Sequence, residues 1–137
     1  MAQVSRSKAA LRIMGDTLNP DEISNILGCE GSIMYSKGDT KVIKSTGREV
    51  ERKFGHWLLR ASECEPEDIN GQVDEILNKL NDNLDVWKQL ASKYNIDLFC
   101  GIFMENSNEG MGLSPKTLLE LGNRDIMLAL DIYDGLE

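Results

Sequence analysis

Leu18-Asn19-Pro20-Asp21-Glu22-Ile23 and Leu113-Ser114-Pro115-Lys116-Thr117-Leu118 are the two stretches whose reading decides the fold. Each runs apolar residue, capping residue, proline, first helical turn. Asn and Ser accept from the orphan N–H groups of a helix start, and proline suits the first turn because its missing N–H is not needed there. In the first copy Glu22 stands three residues after Asn19, the spacing of a capping box. Ile23, Ile26 and Leu27 then recur at helical spacing until Gly28, which permits the left-handed residue that ends a helix; the second copy ends likewise at Leu121-Gly122. An apolar run precedes each copy, Ala9–Met14 closed by Gly15-Asp16 in the first and Ile96–Phe103 in the second. Another follows each, Ile33–Tyr35 and Ile126–Tyr133. Two strand–loop–helix–strand units predict a pseudo-twofold α+β domain. Its sheet should be a single layer, mixed but mostly antiparallel, with the helices on one face in a ferredoxin-like arrangement.

Working outward, the stretch from Ser32 to Ser62 reads as paired strands, with Ile33–Tyr35, Lys41–Lys44 and Phe54–Leu59 as the pieces and turns at Lys37-Gly38-Asp39 and Ser45-Thr46-Gly47. Between Lys37 and Lys53 six basic side chains face three acidic ones, a local charge of +3; the chain total is −8, which leaves −11 elsewhere. The six acids from Glu63 to Glu75 have no base among them, and a helix N-terminus favours such a cluster. Ile69, Val73, Ile76, Leu77, Leu80, Leu84, Trp87 and Leu90 continue at helical spacing, interrupted by Asn81-Asp82-Asn83. They predict two consecutive helices, or one with a kink.

One hundred and thirty-seven residues, 41% apolar, fit a single domain spanning 1–137, with residues 1–7 expected to fray. The negative balance argues against non-specific nucleic-acid binding. No apolar run reaches the ~20 residues of a membrane span, and no apolar segment follows the basic N-terminus as a signal peptide requires. Three cysteines, Cys29, Cys64 and Cys100, form neither a closed disulfide set nor a close-spaced metal knuckle, so a reducing cytoplasm is the expected location.

Phosphate-loop, dinucleotide, zinc-protease and nucleophile-elbow motifs are all missing, and no cofactor or metal is expected. The single histidine, His56, lies between Gly55 and Trp57 and is expected on the solvent side of a strand whose tryptophan is core. Trp87 should be core too. Cys100 reads as a small core residue, and Cys64, among glutamates, should have a raised pKa. Asp16 and Glu105, each following a strand, are candidates to meet through the pseudo-symmetry for acid–base work or a divalent cation, and Lys37, Lys41 and Arg48 of the basic hairpin with His56 are candidates to hold an anionic ligand there. Asn106 opens the polar loop Glu105–Gly112, which reads as a flexible or partner-contact loop.

Gly15-Asp16, Pro20-Asp21-Glu22-Ile23-Ser24, Leu27-Gly28, Lys37-Gly38-Asp39, Gly55-His56-Trp57-Leu58-Leu59, Gly112-Leu113-Ser114-Pro115 and Leu130-Asp131-Ile132-Tyr133 occur in an order and spacing that resemble a bacterial family catalogued as domain of unknown function 4279. The resemblance runs from Leu11 to Tyr133. It implies a compact α+β domain and brings no activity. Glu30-Gly31 stands where the family usually has a proline, and Gln72 where it often has a histidine, so chemistry resting on that histidine is not shared by this chain.

Two functions are therefore expected from different classes. The first is a non-enzymatic protein-binding module, of the immunity or inhibitor type, that recognises a partner by charge complementarity. The second is an anionic-ligand-binding protein or enzyme built on Asp16, Glu105 and the basic hairpin. Self-association through an edge strand, giving a homodimer, is a third expectation.

Overall fold

The computed structural model describes residues 2–135. Eleven elements follow in order: β1 (Arg6–Gly15), α1 (Pro20–Leu27), β2 (Ile33–Tyr35), β3 (Thr40–Ile43), β4 (Arg48–Glu51), β5 (Gly55–Arg60), α2 (Ile69–Leu77), α3 (Leu84–Lys93), β6 (Asn95–Phe103), α4 (Pro115–Asn123) and β7 (Met127–Tyr133).

The helices start where the caps predict. The Asn19 side chain accepts from the Asp21 N–H, and that of Ser114 from the Thr117 N–H. α1 ends at Gly28, whose φ of 79° is the left-handed conformation only glycine adopts cheaply. The interruption at Asn81-Asp82-Asn83 is a true break between α2 and α3. Asn81 ties it down, donating from its backbone to Leu27 O and from its side chain to Ile26 O, while its own carbonyl receives Trp87 Nε1 at 2.7 Å.

Five strands form one sheet in the order β2-β5-β1-β6-β7, and β3 and β4 form a separate two-stranded sheet. β1 is central and antiparallel to both β5 and β6; β2 is antiparallel to β5, and β6 and β7 pair in parallel. The domain is thus α+β with a mixed, mostly antiparallel sheet. Its two strand–helix–strand units are not spaced alike. β5 lies between the strands that flank α1, whereas the strands that flank α4 are direct neighbours.

Alternation along the strands separates the two faces. Ser7, Ala9, Leu11 and Ile13 of β1, Trp57 and Leu59 of β5, and Ile96, Leu98, Cys100 and Ile102 of β6 are buried. All but Ser7 join Ile23, Leu27, Ile69, Val73, Ile76, Trp87, Leu90 and Leu121 of the four helices in one core cluster. Both tryptophans are fully buried, as expected.

One expectation needs correction. Residues 3–7 are held rather than frayed: Gln3 bridges Gly110, Val4 is buried, and Ser7 Oγ donates to Gln72 Oε1 at 2.7 Å. Met1 lies outside the described residues. β4 was not among the strands read from the sequence, because every side chain of the β3–β4 hairpin is exposed and no apolar alternation marks it. Gln72, at the position noted for histidine, is buried and fully engaged, donating to the carbonyls of Ser7 and Ser62.

Candidate functional site

Among the described residues the buried helix side chains all join the core on one face, and no helix covers the opposite face of the sheet. The register places Tyr35 beside His56, His56 beside Met14, Arg12 between Leu58 and Asp97, Ala10 between Arg60 and Phe99, and Arg6 beside Phe103, with Tyr133 flanking Phe103 on β7. This face is built of arginines and aromatic rings. Arg12 lies 4.4 Å from the centroid of Phe99, Arg6 4.0 Å from that of Phe103, and Arg52 4.0 Å from that of Tyr35. Phe103 stacks in turn on Tyr133 at 4.9 Å. Planar guanidinium groups over rings gain cation–π attraction while leaving their edges free to donate.

Arg12 is anchored from the side. Its Nε and Nη2 donate to the two oxygens of Asp97 at 2.8 and 2.6 Å, a bidentate pair whose carboxylate residue is 5% exposed. That hydrogen bonding raises the arginine pKa. Arg6 pairs with Glu63 at 2.6 Å, which lowers the glutamate pKa. Near Lys8, Ala10, Leu58, Arg60, Phe99, Gly101 and Phe103 the face holds a shallow hollow of about 570 Å³. The absence of a side chain at Gly101 opens it, for a Cβ there would lie 2.9 Å from the Phe103 ring.

His56 points to this face and away from Trp57, yet it is only 9% exposed. The expectation of a solvent-facing histidine is corrected: Tyr35 stacks on its ring at 5.1 Å and Phe54 closes in at 6.2 Å. Burial lowers its pKa below 6.5, Arg12 and Arg52 push the same way, and Asp97 opposes them. Its Nδ1 is buried with no hydrogen-bond partner.

The remaining candidates separate into two groups. Asp16 follows the end of β1 where Gly15 pairs with Gly55, so it shares one end of the sheet with His56 and the strand leading to Lys37. Lys37 and Arg48 are exposed at and on the hairpin. Glu105 and Asn106 follow the end of β6, and β6 is antiparallel to β1 with Arg6 opposite Phe103 and Met14 opposite Asn95. Asp16 and Glu105 therefore lie at opposite ends of the sheet and form no joint site. Their pairing assumed parallel outgoing strands, whereas the central pairing is antiparallel.

The loop after β6 is organised by Glu109. Burial pushes this carboxyl up, but donors from the Glu105 N–H, the Asn106 amide and Ser5 outweigh it and hold the pKa below its ordinary value. Of the cysteines, burial pushes Cys100 up to about 12, and burial with three nearby acids raises Cys64; neither is an activated thiol. Among the described residues no group of three or more His, Cys, Asp or Glu is placed to hold a metal, and no helix is long and apolar enough to cross a membrane.

Arg12, Asp97, Phe99 and Phe103 were not singled out from the sequence. The signal for Arg12 was the alternation Arg6-Lys8-Ala10-Arg12 against Ser7-Ala9-Leu11-Ile13 in β1, and for the others the alternation Asp97-Phe99-Gly101-Phe103 against Ile96-Leu98-Cys100-Ile102 in β6.

A family model described as Domain of unknown function (DUF4279) matches residues 5–135. No curated protein and no solved structure matches the chain.

Proposed function

Because the chain belongs to the DUF4279 family, whose description carries no activity, we propose its function from geometry: a non-enzymatic protein-binding module that offers the uncovered sheet face to an acidic partner surface. The observation that carries this reading is the set of three arginines, Arg6, Arg12 and Arg52, each laid on an aromatic ring of the one face no helix covers. Aromatic residues and arginine are the types enriched at protein interfaces, because they bury large area and keep directional donors. A buried catalytic pair is not needed for such a role. The shallow, open shape of the face suits a protein surface better than a small enclosed ligand. The order β2-β5-β1-β6, antiparallel throughout with β1–α1–β2 and β5–α2–α3–β6 as its two split crossovers, supports a ferredoxin-like scaffold to which α4 and β7 are added.

The test is affinity capture from the native host extract with the wild-type chain and with a variant carrying Arg6→Ala, Lys8→Ala and Arg60→Ala. A specific protein should bind the wild type, weaken as salt rises, and bind the variant at least tenfold more weakly. Recovery of no partner, or of the same partner with equal strength by both chains, overturns the reading. A basic partner held by the acidic remainder of the chain would replace it with the immunity- or inhibitor-like version.

A further inference from the structure

We infer that β7 is a dimerisation edge: two copies of this chain join their β7 strands antiparallel about a twofold at Leu130, making one continuous sheet. β7 is an outer strand of seven residues, Met127 to Tyr133, without proline or lysine and with Asp131 as its one charge. Natural edge strands are blunted by shortness, lysine, proline or bulges. The other edge, β2, is three residues long and so is blunted; β7 is not.

Backbone direction selects the pairing. The Met104 N–H donates to Tyr133 O at 3.0 Å, so the odd-numbered residues of β7 turn their backbone groups toward β6. Leu128, Leu130 and Ile132 therefore turn theirs outward, and among the described residues no strand pairs with them. With Leu130 opposite Leu130 of a second copy, Leu128 meets Ile132 and Ile132 meets Leu128. All three are then hydrogen-bonded pairs that exchange both N–H···O bonds.

Side chains agree with the backbone. In this register Asp131 faces Ala129, Met127 faces Tyr133, and the row Leu128-Leu130-Ile132 is doubled on the helix side. Leu130 and Ile132 are 46% and 58% exposed in the single chain, and the preceding helix α4 leaves Leu118 and Leu119 exposed as well. A twofold moved one residue toward the C-terminus would set Asp131 against Asp131, and like charges directly opposite are destabilising. One moved the other way loses a hydrogen-bonded pair. The sequence of β7 is thus self-complementary in one register, which commits the edge to a second copy.

This inference stands apart from the partner-binding reading, because the residues of β7's outer edge are not those altered in the capture variant. Sedimentation velocity on the full chain, from about 1 to several hundred micromolar, tests it. The chain should sediment as a dimer at the upper concentrations. Leu130→Lys, which sets two ammonium groups face to face, and Ala129→Asp, which sets Asp against Asp131 twice, should each weaken association at least tenfold. Ala129→Lys creates two Lys–Asp131 cross-strand pairs and should tighten it about two- to tenfold. Circular dichroism confirms folding of each variant, and the opposite signs at Ala129 keep the test independent of stability. A chain that stays monomeric throughout, or a dimer indifferent to the charge at 129, overturns the inference.

Discussion

Arg12 and Asp97 illustrate how much one residue pair carries on a half-covered sheet face. The carboxylate is nearly enclosed, and its two oxygens take both guanidinium donors. Arg12→Ala leaves that charge buried and unpaired and should cost about 2–4 kcal/mol in chemical denaturation. Replacing both, Arg12→Met with Asp97→Leu, should cost less than Arg12→Ala alone, since no orphan charge remains. His56 adds a pH dependence. Its folded pKa lies below the unfolded value of about 6.5, so between the two the unfolded chain binds more protons. Its contribution to stability is complete above about pH 6.5 and is lost as pH falls through the folded pKa. His56→Phe removes the buried, unpartnered Nδ1 and should flatten that part of the stability profile, measured as the wild-type-minus-variant difference between pH 7 and pH 5. A histidine next to a core tryptophan was correctly placed on the other face from it. What the sequence did not show was that Tyr35 of β2, with Arg52 on its ring, closes over that position, because it arrives from another element.

At the scale of elements, the two proline-marked helix starts were legible because capping is local chemistry, settled within four residues. Asn19→Ala should lower stability by about 1 kcal/mol and Ser114→Ala by about 1–2 kcal/mol, both read by denaturant titration. Ser114 is the costlier because its hydroxyl also meets Thr117 Oγ1, which donates to Asn70 Oδ1 of α2, so that cap joins α4 to a second helix. The β3–β4 hairpin shows the opposite case. Its strands pair only with each other and bury nothing, so no apolar pattern announced β4. An isolated two-stranded ribbon is marginal in water. Amide hydrogen exchange should therefore find β3 and β4 exchanging far faster than β1 and β6, which lie inside the main sheet; equal protection would contradict the exposed, self-paired hairpin.

For the whole molecule, the stretch Lys37–Lys53 carries six of the fifteen basic residues but no residue of the core cluster. Replacing residues 40–51 by a short Gly-Ser turn should leave the thermal midpoint within a few degrees of the parent, since no residue of that segment belongs to the core cluster. The +3 counted over Lys37–Lys53 thus sits on and beside a hairpin that adds nothing to the core, while Arg6, Arg12 and Arg60 of the uncovered face lie on β1 and β5. By itself the sequence determined the α+β class, most of the elements with their helix caps, and the tryptophan core, all of which follow from alternation, capping and apolar periodicity within short windows. Strand order was decided only by the tertiary structure. β1 takes the centre, and β6 runs antiparallel to it. That pairing sends Asp16 and Glu105 to opposite ends of the sheet, sets Arg12 against Asp97, and leaves β7 as an open edge. The physical reason is that strand neighbours are chosen by contacts between residues far apart in the chain, which no local pattern encodes.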